Sequence, residues 1–211
     1  MLAISLSPRE PASFPVRGLS VRSRLRVHRA DDPGRPELED FIREVYRRRY
    51  DADVRHFAPE LVGLRDEHGD LVAAAGYRAA DRGTLFLERY LDSRVESLLA
   101  GPGEARPGRD RIVEVGHLAA RRAGEGRRLA LLLAPHLARQ GFQWVVGTLT
   151  QELRNLFVRL GIVPTTLGVA DPAALGDEAG RWGSYYDHRP LVLAGQLGQA
   201  LETLARRGSA S

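Results

Sequence analysis

Alternating apolar and polar side chains mark the first strand of the chain. Residues 21–28 alternate apolar with basic or small polar side chains, which is the period-two pattern of a half-buried strand. After an Asp-, Pro- and Gly-rich turn, apolar residues recur at helical spacing over residues 38–49. Residues 61–65 and 71–78 then flank an acidic, glycine-containing turn, and this arrangement predicts an antiparallel hairpin.

The second half of the chain alternates between strand and helix patterns. Residues 85–99 have helical spacing, and a Gly- and Pro-rich break follows over residues 101–110. The pattern then predicts strand, helix, strand, helix and strand, in turn over residues 112–118, 127–139, 142–149, 153–160 and 162–167. An edge strand is expected between Trp182 and Val192, and a short amphipathic helix from Leu197.

These elements predict a single α/β (α+β) domain built on a mixed, mostly antiparallel sheet flanked by helices. A chain of 211 residues can bury one good core. We expect a flexible N-terminal tail over residues 1–18, the folded domain over residues 19–194, and a C-terminal amphipathic helix and tail over residues 195–211.

The amino-acid composition excludes several kinds of functional site. The chain has no cysteine, so disulfides, thiolate metal sites and a thiol nucleophile are excluded, and the six histidines show no metal-ligand spacing. All 31 basic residues are arginine, and they are spread along the chain among 27 acidic residues, which argues against nucleic acid despite a net charge of +4. Without an apolar run long enough to span a membrane or to form a signal peptide, we expect a cytoplasmic protein with no membrane span.

A glycine-containing turn after the residue 112–118 strand suits an anion. Residues 121–127 read Arg-Arg-Ala-Gly-Glu-Gly-Arg and precede a predicted helix, whose first N–H groups and positive dipole end attract phosphate. Gly124 and Gly126 allow close approach, and Arg121 and Arg127 supply charge. An ordinary strand-to-helix loop is the alternative.

The same turn carries a resemblance to known families. Arg121-x-x-Gly124-x-Gly126 resembles the pyrophosphate signature of the GNAT superfamily of N-acetyltransferases, and the segment from Asn155 to Ile162 resembles a later helix and turn of that superfamily. Over residues 41–192 the chain is most similar to the thermostable hemolysin family, which is itself similar to acyl-homoserine-lactone synthases. That similarity rests on six stretches: FIREVY (41–46), HFAPEL (56–61), AAGYR (74–78), LFLERYL (85–91), VEVGHLA (113–119) and WGSYY (182–186).

The resemblance implies a GNAT-like acyltransferase that uses acyl-CoA, or an acyl carrier protein, as the donor. The residues expected to bind the donor are Leu118, Ala119, Ala120, Arg121, Gly124, Gly126, Arg127 and Asn155. An amine is the expected small-molecule acceptor, and an amino acid is one candidate for it. The family name instead implies lysis of red cells. A membrane-active hemolysin and a catalytically silent binding domain therefore remain alternatives.

Individual residues suggest roles in such a reaction. Glu114 lies within an apolar strand, where burial would raise its pKa toward that of a useful base, and the alternative is a structural or solvent-facing carboxylate. His117 is a second candidate base or relay, or a polar residue at a strand end. Arg78 is expected to hold a substrate carboxylate unless it forms a solvated salt bridge.

Other candidates surround the expected acceptor pocket. Glu88 and Tyr90 are expected to bind substrate. Phe157 stands where many acetyltransferases have a tyrosine that protonates the departing sulfur, so Tyr185 or Tyr186 is the candidate replacement. The sequence leaves the acyl chain length and the oligomeric state open.

Overall fold

The structure, a computed structural model of the chain, describes residues 24–101 and 103–209. The predicted tail over residues 1–18 and the predicted start of the first strand at residues 21–23 lie outside the described residues.

One seven-stranded sheet forms the centre of the described part of the chain. Its strands are β1 (Arg24–His28), β2 (Glu60–Arg65), β3 (Leu71–Ala79), β4 (Ile112–Ala120), β5 (Trp144–Leu149), β6 (Thr165–Val169) and β7 (Leu191–Gln196). Their spatial order is β1-β2-β3-β4-β5-β7-β6. The neighbours β4 and β5 run parallel, whereas the other neighbouring pairs are antiparallel. The predicted mixed, mostly antiparallel sheet is therefore confirmed.

Helices cover both faces of this sheet. They are α1 (Arg35–Tyr50), α2 (Val95–Leu99), α3 (Ala123–Arg139), α4 (Gln151–Arg159) and α5 (Leu197–Ser209). Short 3₁₀ turns occur at Ala80–Arg82, Phe86–Tyr90 and Arg109–Arg111. A longer series of 3₁₀ turns at Pro172–His188, interrupted at Gly176 and Gly183, is here called the aromatic segment.

Strand alternation divides the core between the two faces. Leu61 and Ala74 pack with Leu38 and Ile42 of α1 on one face. Val62, Ala73 and Val113 pack on the other face with Leu129, Leu133 and Leu137 of α3 and with Leu197 of α5. Because neighbouring residues of a strand point to opposite faces, β2, β3 and β4 each contribute to both clusters. The C-terminal helix is thus packed against α3.

Several predicted boundaries are wrong. The stretch over residues 85–99 is not one helix but the Phe86–Tyr90 3₁₀ turn followed by the short α2. The stretch between Trp182 and Val192 forms the end of the aromatic segment and the start of β7, and β7 lies between β5 and β6 rather than at the edge. The edge position next to β7 is occupied by β6. The sequence did not predict this, because local spacing does not contain the order in which strands pair.

Within residues 24–101 and 103–209, no helix is both long and apolar enough to cross a membrane.

Candidate active site

Strands β4 and β5 separate in the middle of the sheet. They pair over three positions, ending at Glu114 opposite Val146, although β4 continues to Ala120 and β5 to Leu149. Beyond that point β5 pairs with β7 on its other side as far as Leu149. The separation leaves a gap between two parallel strands.

A bulge in β4 lies beside this gap. Gly116 pairs with Gly76 of β3, and Ala119 pairs with Ala74, so β4 contains one more residue than β3 over the same interval. His117 and Leu118 therefore face a single residue of β3. A bulge disrupts the hydrogen-bond ladder locally, so backbone amides of β4 become available near the gap.

A polar cavity of about 400 Å³ opens on the face of the sheet that carries Glu114. The residues that line it come from the end of α1, the loop over residues 53–58, the end of β3, residues 84–90, strands β4 and β5, Leu153 of α4 and the aromatic segment. Among the predicted site residues it contains Arg78, Tyr90, Glu114, His117, Leu118 and Tyr185.

The Glu114 carboxylate is held by backbone amides on the cavity wall. Its two oxygens accept hydrogen bonds of 2.9 Å each from the amides of Phe86 and Leu87. Burial raises the pKa of Glu114, although these two amides and the nearby Arg78 oppose the shift. The carboxylate is oriented, and its pKa lies above that of a free glutamate. Both properties suit a base, while the amide bonds also give it a structural role.

Arg78 lies next to Glu114 across the β3–β4 pair. Its guanidinium makes a long hydrogen bond of 3.3 Å to the Thr84 carbonyl, which occupies one of its five donors. At the cavity mouth, by contrast, Arg55 pairs with Asp53 at 2.6 Å and Arg89 pairs with Glu178 at 2.7 Å. Arg78 and Glu114 thus place a cation and an anion side by side, which is complementary to the carboxylate and amine of an amino acid.

Three tyrosine hydroxyls meet the same cavity. Those of Tyr90 and Tyr186 hydrogen-bond each other at 2.6 Å, and that of Tyr185 donates to the Thr148 carbonyl at 3.3 Å. Burial raises the pKa of all three phenols, so they stay protonated near neutral pH. The Tyr185 hydrogen is engaged by the Thr148 carbonyl, whereas one hydroxyl of the Tyr90–Tyr186 pair keeps its hydrogen for a ligand.

The aromatic segment is fitted closely against the end of α1. Gly183 has a φ of +51°, and a Cβ at this position would overlap the Tyr50 carbonyl oxygen, so glycine is required there. The Asp53 amide donates to the Arg181 carbonyl at 2.7 Å, and the Ser184 hydroxyl donates to the Tyr50 carbonyl at 3.3 Å. These contacts hold Trp182 and the two following tyrosines over the cavity.

Two predicted residues lie elsewhere. Glu88 does not line the cavity; its carboxylate bonds Arg109 at 2.8 Å and the amides of Leu85 and Val95. Although burial opposes the shift, these bonds lower the pKa of Glu88, which gives it a structural role in the described residues. Asn155 is exposed on α4 and lines neither cavity.

The predicted phosphate-binding turn is shorter than expected, because α3 begins at Ala123. Gly124 and Gly126 therefore lie in its first turn rather than in a loop. No described atom lies within 4 Å of the Cβ position of Gly124, and Arg121 and Arg127 are exposed. The Glu125 carboxylate accepts from the Arg122 amide at 3.0 Å, which satisfies one donor at the helix start. Ala119 and Ala120 are largely buried in the strand before it.

A second cavity, of about 120 Å³, lies on the opposite face of the sheet. It is bounded by α3, α4, α5, β5 and β7, and Gln196 is the one polar residue in a lining of otherwise apolar residues and glycine. Val115 and Leu118 border both cavities, so both cavities reach the β4 bulge. Phe157, noted in the sequence for replacing a tyrosine, lines this apolar cavity together with Ala200 and Leu204 of α5.

Some wall residues were not among the predicted site residues. Trp182 and Phe57 line the polar cavity, and Thr148 contributes from the end of β5. An aromatic residue near a strand favours core packing on composition alone. The loop residues reach the site through tertiary folding that local patterns do not encode.

The described residues contain no cluster of three or more potential metal-ligating side chains.

The thermostable hemolysin family model, described as "Thermostable hemolysin", matches residues 28–201, which is most of the chain. The chain belongs to the thermostable hemolysin family. No curated protein matches it.

Solved structures with the same fold include several synthases. TofI in an apo form is 18% identical, with a TM-score of 0.58 over 86% of this chain and 95% of that chain. FeeM, an N-acyl amino acid synthase from uncultured soil microbes, is 15% identical, with a TM-score of 0.59 over 88% and 97%. MesI, a CoA-dependent acyl-homoserine lactone synthase, is 16% identical, with a TM-score of 0.54 over 89% and 96%. At these identities the likeness is evidence for the fold, which is GNAT-like as expected.

Proposed function

We propose that this thermostable hemolysin family member is an acyltransferase that moves an acyl group from acyl-CoA to the amine of an amino acid. The observation that carries the proposal is that a cavity with charged and aromatic side chains and an apolar cavity both reach the β4 bulge beside the β4–β5 gap. A thioester at this gap would have its acyl chain on the apolar side and the acceptor on the polar side. Acyl carrier protein is an alternative donor, since it presents the same thioester.

The apolar cavity supports a donor with a short or medium acyl chain. An apolar cavity of about 150 Å³ can hold benzene, so the 120 Å³ cavity has room for about five carbon atoms beyond the gap. The exposed start of α3, with Gly124, Gly126 and two flanking arginines, supports the pyrophosphate assignment. The donor would then run along the gap from the helix start to the cavity.

The polar cavity supports the acceptor assignment. Arg78 would bind the carboxylate of an amino acid, while Glu114 would take the proton from its amine. The nitrogen attacks the thioester carbonyl, the C–N bond forms, and the C–S bond breaks. Tyr185, which is protonated and lines the same cavity, would turn its hydroxyl from the Thr148 carbonyl to give the sulfur its proton, and the proton that Glu114 took from the amine would pass through solvent to restore the phenol. The products are an N-acyl amino acid and free CoA thiol.

The packing of α5 does not favour direct lysis. The apolar residues Leu197, Ala200 and Leu204 of α5 face the protein interior and the apolar cavity. The proposal is tested by measuring thiol release from acyl-CoA with a panel of amino acids. Amine-dependent release supports it, whereas the absence of release with donors of two to twelve carbons would contradict it.

A further inference from the structure

His117 adopts a backbone conformation that is unusual for its residue type. Its φ is +52°, in the left-handed region that non-glycine residues rarely enter. It lies at the β4 bulge, where β4 has its extra residue opposite β3. Because the bulge turns the strand away from its partner, this conformation directly shapes the edge of the gap.

The His117 ring is held on three sides. Its Nε2 donates a hydrogen bond of 3.0 Å to the His56 carbonyl in the cavity loop. The ring lies 5.5 Å from the Phe57 ring, between centroids. Its Nδ1 faces Gly76, where an added Cβ would come within 3.1 Å. The ring therefore joins the bulge to residues 56–57 of the loop.

These contacts also fix the proton on the ring. A carbonyl oxygen can only accept, so Nε2 carries the hydrogen and Nδ1 carries the lone pair. Nδ1 is buried and has no hydrogen-bond partner in the described residues. Burial lowers the pKa of His117 to about 4, with Arg35 and Arg78 as the charged groups that add to the shift. Neither nitrogen is placed to take a proton from an amine in the cavity.

We propose that His117 is a positioning residue that fixes the β4 bulge by tying it to the loop over residues 56–57. This inference rests on the proposed acyl transfer, because the bulge borders the gap in which the thioester would lie. The ring holds the β4 amides and the mouth of the polar cavity in one arrangement. In this arrangement Glu114 is the base, and the His117 imidazole takes no part in proton transfer.

Two substitutions separate positioning from proton transfer. His117→Gln keeps an N–H donor near the Nε2 position, whereas His117→Ala removes it. The control is His68→Gln, a substitution in an exposed turn. We expect kcat to fall about tenfold or more in the alanine variant, because a small displacement at a reacting centre is costly, with KM for acyl-CoA within about threefold of wild type. The glutamine variant should recover most of kcat. Both should keep the wild-type pH profile.

Two further readouts do not depend on turnover. Hydrogen exchange should increase at residues 116–119 and 56–58 together in His117→Ala, but not in His117→Gln. Nitrogen-15 NMR of the wild type should show a neutral ring with the proton on Nε2 down to pH 5.

The outcomes distinguish the two claims. Equal loss of activity in both variants, with a shifted acidic limb, would make His117 a base and overturn the inference. Unchanged exchange in His117→Ala, or a charged ring at pH 6, would also overturn it. Absence of any acyl transfer in the wild type would refute the proposed function, and the exchange and NMR results would still decide the tether.

Discussion

Substitution of Glu114 by glutamine perturbs both the proposed chemistry and a local structural contact. Glutamine has one acceptor oxygen and one donor NH₂, so it can satisfy only one of the two amides that Glu114 now binds. We expect the glutamine oxygen to accept the hydrogen bond from the amide of the buried Leu87. The amide of Phe86, a residue that is 36% exposed, can hydrogen-bond to water instead. The structural loss should therefore be near the low end for a lost buried hydrogen bond, about 1 kcal/mol.

The expected rate loss is much larger than this. A positioned general base contributes about 10²- to 10⁴-fold, whereas a loss of about 1 kcal/mol leaves a domain of ordinary stability folded. Urea unfolding and initial rates of thiol release should be measured on the same preparations. Glu60→Gln, a glutamate at the start of β2, is the matched control for both measurements.

The raised pKa of Glu114 gives a pH dependence with a defined sign. Activity should rise with pH through an apparent pKa above that of free glutamate, since the base must lose its proton. Stability should change in the opposite direction. Because the folded state holds this proton more tightly than the unfolded state, the contribution of Glu114 is complete below the unfolded pKa and is lost as pH rises through the folded pKa. A Glu114→Gln variant that retains wild-type turnover and the same acidic limb would refute the base assignment.

Four other outcomes are expected. Gly126→Asp should weaken CoA binding, measured by calorimetry, because it places a carboxylate at the proposed phosphate position. The control Gly198→Asp on α5 should bind CoA like the wild type. Equal CoA binding by both variants would refute the pyrophosphate assignment. Arg78→Gln should raise KM about tenfold or more for an amino acid but not for the matching amine without a carboxylate, because a charge-assisted bond is lost. Leu204→Trp should shift the preferred donor to shorter acyl chains, and an unchanged chain-length profile would exclude the apolar cavity as the acyl site. Purified protein without acyl-CoA should release no dye from vesicles. Direct lysis would be favoured if the protein alone released dye and a folded variant without α5 did not.

Much of the fold follows from sequence periodicity. Strand β3 and helix α1 were predicted close to their observed bounds, because each buries one regular face against the sheet. The residue 85–99 region was assigned wrongly since its apolar residues serve two short elements instead of one helical face. The position of β7 inside the sheet depends on pairing with β5 and β6, which no local pattern contains.

The candidate site was predictable where one element carries it. Glu114 stood out as an acidic residue in an apolar strand, and it lines the polar cavity. Glu88 shares that acidic character, but its partner Arg109 is distant in sequence and draws it away from the cavity. The left-handed conformation of His117 had no sequence signal, because it arises from the register of β4 against β3.

The central claim is tested most directly by mass spectrometry of a reaction that contains the protein, an acyl-CoA and an amino acid. The account predicts an N-acyl amino acid formed in equal amount to free CoA, and its loss in Glu114→Gln at saturating donor. Free CoA without any acylated amino acid, or no product from the wild type with any donor it binds, would contradict acyl transfer to an amine.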